Sequence, residues 1–147
     1  MKVYLDVCCL CRLFDDQLQD KVRLETEAVV SILKRCVDKK WELVGSDIIH
    51  LEISKNKDSV KKQKLLQLHE GAVLKARYNA EIKVRAKQFR ECGVRLFDSL
   101  HLASAEYMGV DVFLTTDKQL INTSKRANIK IRVLNPLVFY TEVINNE

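Results

Sequence analysis

The segment VYLDVCCLCRLFDD, residues 3 to 16, runs an apolar stretch into Asp6 and then places three cysteines within five residues. Thiolate ligation and carboxylate chemistry compete to explain it. The order C-C-x-C lacks the spacing of a zinc site, and no second Cys or His pair completes one. Free cysteines of this kind pack as small hydrophobes behind a strand. Asp6 is therefore the informative residue, and Glu52, Asp98 and Asp117 are the acids that can join it. Carboxylates brought together raise one another's pKa unless a cation neutralises them. An all-oxygen donor set selects a hard ion, Mg²⁺ or Mn²⁺. Such an ion activates water and stabilises the charge that develops when a phosphodiester is cleaved.

The elements that would position these acids follow from periodicity. Lys2 to Leu5 reads as a short buried strand, and the apolar stripe from Leu24 to Val37 reads as a helix. Trp41 to Val44 repeats the strand, and Ser46 is placed to cap a helix through Ile48, Ile49, Leu51 and Ile53. The spacing from 55 to 95 predicts two helices meeting near Tyr78 and Asn79, a basic helical hairpin. Leu96 to Met108 is a further helix stopped by Gly109, followed by a strand at Val112 to Leu114, a short helix from Asp117, a strand near Ile131 to Leu134 and a break at Pro136.

Short strands alternating with helices imply a single α/β domain over residues 1 to 147, a three-layer α/β/α sandwich with a mostly parallel sheet. Ligands of such sheets bind at the carboxyl ends of the strands. Asp6 and Asp117 end strands and Asp98 opens a helix, so element order alone sends all three to that edge. Glu52 sits about two turns into its helix, roughly 9 Å down the axis, and reaches the edge only if that helix leans across it. Each acid taken singly also fits a turn or the first turn of a helix, where the dipole favours it. On the residues alone, a metal site and a set of solvated caps both remain open.

Composition narrows the function classes. The chain has 147 residues with a net charge of +5. Between Lys55 and Arg95 there are twelve Lys or Arg against Asp58, Glu70, Glu81 and Glu91, so the remainder nets minus three. A basic segment beside an acidic body suits a polyanion such as RNA, or is a solvated pair of helices. Four glycines leave no glycine-rich nucleotide loop. No apolar stretch is long enough to span a membrane, the N-terminal run is broken by Asp6 and Arg12, and five cysteines are an odd number. A soluble cytoplasmic protein with reduced thiols is the expectation. A phosphorylated aspartate at Asp6 would need a second Asp two residues on, where Cys8 stands. His101, three residues after Asp98, shares its helix face and is a candidate for substrate contact or proton transfer, while His69 reads as structural or surface.

The stretches VYLDVCCL, SDIIHLEI, FDSLHLASAEYMGVDVFLTTD and IRVLNP together resemble a PIN domain, the metal-dependent ribonuclease fold of VapC-type toxins. The third is the most specific. The resemblance implies that Asp6, Glu52, Asp98 and Asp117 are the metal ligands, that the Thr115 hydroxyl lies near the metal, and that the cofactor is Mg²⁺ or Mn²⁺. It also implies RNA cleavage, a homodimer and a cognate antitoxin partner, with no membrane association. Val7 and Cys8 depart from the pattern, since family members often carry Thr or Ser and then Asn there. That departure removes two polar neighbours of Asp6 and implies a weaker metal site. The alternative it raises is a catalytically weak or inactive PIN module that binds RNA or a protein.

Overall fold

The chain folds as β1 (Lys2–Leu5), α1 (Val7–Cys11), a single 3-10 turn, α2 (Asp20–Val37), β2 (Glu42–Ser46), α3 (Asp47–Ser54), α4 (Ser59–Glu70), β3 (Leu74–Ala76), α5 (Ala80–Glu91), α6 (Leu96–Tyr107), β4 (Val112–Leu114), α7 (Lys118–Ser124), β5 (Arg132–Leu134) and α8 (Pro136–Asn145). This computed structural model describes residues 1–147. The five strands form one all-parallel sheet in the order β3-β2-β1-β4-β5. The chain crosses from β1 to β2 in one direction and from β3 to β4 in the other. Right-handed connections therefore place α2 on one face and the α5 and α6 pair on the opposite face. Helix α8 returns to pack on α2, completing three layers. No helix is long and apolar enough to cross a membrane.

Local chemistry sets the boundaries. Ser46, Asp58, Asn79, Asp117 and Asn135 each cap a helix by accepting a backbone N–H, with Pro136 in the first turn of α8. Gly109, at φ 63°, ends α6 in the left-handed region. Central strands buried on both faces must be apolar throughout, and Val3, Tyr4 and Leu5 of β1 and Val112, Phe113 and Leu114 of β4 are all buried. Tyr4 stacks on Phe113 with centroids 5.1 Å apart. Between α2 and the start of α8, the buried Glu25 carboxylate accepts from Arg12 at 3.0 Å and Asn135 at 2.6 Å.

The expected basic hairpin is not formed. Between α4 and α5 the chain runs as β3, pairing Val44 with Leu74 and Ser46 with Ala76, while α4 packs on α3 and α5 packs on α6. Residues 72 to 76 carry apolar side chains at positions compatible with either period. A vacant edge beside β2 decides for the strand, because there the backbone groups gain ladder partners.

One contact constrains this edge. His69 of α4 is 5% exposed, and its Nε2 accepts the backbone N–H of Ser46 at 3.2 Å. Its ring lies directly over Gly45, where an added Cβ would sit 2.4 Å from Nε2 and 2.8 Å from Cδ2. Gly45→Ala is expected to destabilise the fold by about 1 to 3 kcal/mol, read as a lowered denaturant midpoint. Burial, with the charge of Lys75 adding to it, holds the His69 pKa down to about 4. The unfolded chain then binds a proton that the folded chain refuses between about pH 6.5 and pH 4. Stability should fall by about 2 kcal/mol as pH drops through that window, after allowance for solvent screening. Replacing His69 with Gln should flatten that part of a pH series of unfolding curves.

A candidate metal centre at the carboxyl edge of the sheet

Asp6 leaves β1 at the centre of the edge and caps α1, with Oδ1 accepting the Val7 N–H at 2.8 Å. Its Oδ2 accepts from the Thr115 hydroxyl at 2.9 Å. Thr115 follows β4 directly and also accepts the Asp117 N–H at 3.1 Å. One hydroxyl therefore ties the end of β1 to the turn that holds Asp117. That carboxylate in turn caps α7 through Gln119 and Leu120.

The departure at Val7 and Cys8 has a different outcome from the one the sequence suggests. The Cys8 thiol donates to Asp6 Oδ2 at 3.4 Å, lies 3.3 Å from Thr115 Oγ1 and accepts the Thr116 N–H at 3.3 Å. Sulfur is a weaker partner than an amide, yet it occupies the orienting position, and the Val7 backbone supplies a second donor. Cys9 packs inward, where its thiol donates to the Leu114 carbonyl at 3.3 Å.

Glu52 reaches the edge because α3 leans across it, packing on α1 and α6. His101 of α6 receives it. This fully buried imidazole lies with Nε2 3.0 Å from Glu52 Oε1 and 3.9 Å from Asp6 Oδ1. Because an ionised carboxylate only accepts, Nε2 carries the proton. The other nitrogen, Nδ1, is 2.7 Å from the Tyr4 hydroxyl, itself 2.7 Å from Ser46 Oγ, which caps α3 by accepting the Ile49 N–H at 3.0 Å. A continuous polar chain thus runs from the cap of α3 through the core and back to Glu52 on the same helix. Tyr4 and Ser46 carried no functional signal in the sequence beyond a strand position and a cap. The spacing of His101 from Asp98 was the visible clue, and its place between Glu52 and Asp6 is what the fold adds.

Donor atoms of Asp6, Glu52 and His101 all lie within 4.8 Å of one another. Asp98 and Asp117 stand outside that tight group but within its field. The Asp98 pKa is pushed up to about 6 by burial and then by the charges of Asp6 and Asp117. Asp6 is also raised, chiefly by burial, with Glu52 adding to it and His101 opposing. Burial pulls His101 down, but its hydrogen bond to Glu52 and the charges of Asp6, Glu52 and Asp98 lift it above the ordinary histidine value. Burial leads the rises at Asp6 and Asp98, and the mutual repulsion of the carboxylates adds an excess of negative charge that His101 only partly offsets. A divalent cation fits that excess and that donor set.

On the rim, the Lys55 ammonium sits 4.7 Å from the centroid of Phe97, and Arg95 donates to Gln119 at 2.6 Å. Both cations border the acids without pairing with them.

Among solved structures, a chain of VapBC2 from Rickettsia felis, bound to a DNA fragment from its promoter, superposes with a TM-score of 0.61. The match covers 92% of this chain and 98% of the other at 16% sequence identity. The fold is that of a PIN domain. No family model matches the sequence, and no curated protein does. The PIN fold explains why Asp6, Thr115 and Asp117 share an edge: they lie at the ends of its two central strands. At 16% identity the likeness carries the architecture, and the chemistry is argued from the residues.

Asp98→Asn should stabilise the cation-free protein by about 1 to 2 kcal/mol at pH 8, after screening, because the folded state no longer holds a carboxylate whose pKa it raises. The gain should vanish below about pH 4, where the carboxyl is protonated in both states. The same substitution should reduce the rise in melting temperature on adding Mn²⁺ or Mg²⁺, which thermal scans with and without the ion would read.

Proposed function

We propose that this protein is a divalent-metal-dependent endoribonuclease that hydrolyses RNA phosphodiester bonds, and that it serves as the toxin of a toxin–antitoxin pair. The observation that carries the reading is the convergence of Asp6, Glu52 and His101, whose donor atoms lie within 4.8 Å of one another, with Asp98 close enough that the charges of Asp6 and Asp117 add to the rise that burial gives its pKa. The likeness to a chain of VapBC2 supports the PIN fold and suggests an antitoxin partner. A homodimer and a cytoplasmic location belong to the same reading.

In this reading Asp6, Glu52, Asp98 and Asp117 would hold Mg²⁺ or Mn²⁺ through carboxylate oxygens. When bound, the ion supplies Lewis-acid activation of water and of the scissile phosphate. The chain's own residues set the geometry. Thr115 and Cys8 orient Asp6, and His101 holds Glu52 through its Nε2–H, with Tyr4 fixing the ring from the other side. Lys55 and Arg95 attract the RNA backbone to the rim. Asp98, whose pKa is pushed up to about 6 without a cation, would hold the ion in its ionised form.

Cleavage of a labelled RNA with Mn²⁺ or Mg²⁺ should fall by at least a hundredfold in Asp98→Asn and Asp6→Asn, on the order expected for loss of a metal ligand's electrostatic contribution. Equal rates for wild type and both variants would exclude the nuclease reading and leave a PIN module that binds without cutting.

A further inference from the structure

The same edge of the sheet carries a polar cavity, of about 280 Å³, lined by Ser46, Asp47, His50, His69, Lys75 and Arg77. None of these residues is apolar. His69 is the built element of this cavity. Its Nε2 lone pair accepts the Ser46 N–H, so the neutral ring carries its proton on Nδ1. That N–H makes no hydrogen bond within the chain, and it is not sealed from solvent, because no buried polar side-chain atom lacks a partner. Gly45 leaves the space that lets so buried an imidazole lie there. Lys75 and Arg77 make no ion pair. The one acid, Asp47, has an oxygen committed to the Tyr78 N–H at 2.8 Å.

Three uncommitted donors around a cavity call for an acceptor with negative charge. A metal is the wrong occupant: the Nε2 of His69 is already used, and the cavity brings two cationic side chains. The cavity opens at the carboxyl ends of β2 and β3, with Ser46 opposite Ala76. Asp6 leaves β1, so β3 lies two strand spacings away, on the order of 10 Å along the same edge. Tyr78, 48% exposed and next in the chain after Arg77, offers a ring face on which a base can stack.

We propose that this cavity is a phosphate subsite for the RNA strand, holding a backbone phosphate beside the cleavage site through the His69 Nδ1–H, Lys75 and Arg77. The inference rests on the ribonuclease reading for the identity of its ligand, and its test does not require cleavage. Binding is measured in EDTA for wild type, for Lys75→Gln with Arg77→Gln, and for a charge-matched control, Lys40→Gln with Lys125→Gln. Both pairs are exposed side chains, and matched melting temperatures check folding. The first pair should weaken a short single-stranded RNA about tenfold and lower the slope of log K against log salt by about one. Inorganic phosphate should shift the His69 ring signals in the NMR spectrum of wild type and not of that variant. An RNA loss no larger than that of the control overturns the proposal. A phosphate-induced shift with no RNA loss also overturns it, assigning the cavity to a free anion. Wild type that binds RNA through Lys75 and Arg77 but never cuts with Mn²⁺ or Mg²⁺ refutes the nuclease reading alone.

Discussion

Like charge at close range governs this molecule. An all-parallel sheet sends Asp6 and Asp117 to one edge, and α3 and α6 bring Glu52 and Asp98 beside them. The fold opposes their repulsion with a single buried imidazole. His101 reaches Glu52 at 3.0 Å and Asp6 at 3.9 Å, and its raised pKa is the protein's own partial answer to the charge. The answer is incomplete, since the charges of Asp6 and Asp117 still add to the burial that pushes Asp98 up to about 6. A site left short of positive charge in this way is one that a cation completes.

Holding His101 there costs the core two polar groups. Tyr4 lies in a central strand that is otherwise apolar, and its hydroxyl is satisfied only because Ser46 and His101 both reach it. An unpaired hydroxyl at that depth would cost on the order of 1 to 3 kcal/mol. Ser46 serves three structures at once: its Oγ caps α3 and meets Tyr4, and its amide anchors His69. The carboxylate site and the polar cavity beside β3 are thus joined through one serine. The orientation of Glu52 and the seat of His69 are set by the same residue.

The basic segment shows where pattern reading fails and why. Its apolar positions fit a helical period well enough to predict a hairpin, yet β3 divides it. Three residues of strand carry too little periodicity to compete with the helices on either side, and what holds them is the ladder they form with β2 together with the burial of Ala76 and Leu74. The consequence is spatial. Lys75 and Arg77 are carried to the carboxyl edge instead of lying along a helix pair. Cys8 shows the converse case. By residue type it reads as a loss, but a thiol at hydrogen-bonding distance from Asp6, Thr115 and Thr116 keeps the orienting role.

Most of the element order apart from β3, the caps at Ser46 and Gly109, and the parallel α/β class were legible in the sequence, because alternating short strands and amphipathic helices, with Ser46, Gly109 and Pro136 as punctuation, are local features. From that order alone Asp6, Asp98 and Asp117 could be sent to one edge. What the sequence could not hold is distance. Whether α3 leans far enough to bring Glu52 to Asp6, whether His101 enters between them, and whether His69 reaches the Ser46 amide over Gly45 depend on packing among residues some 20 to 100 positions apart. Such contacts have no signature along the chain, and only the tertiary structure decides them.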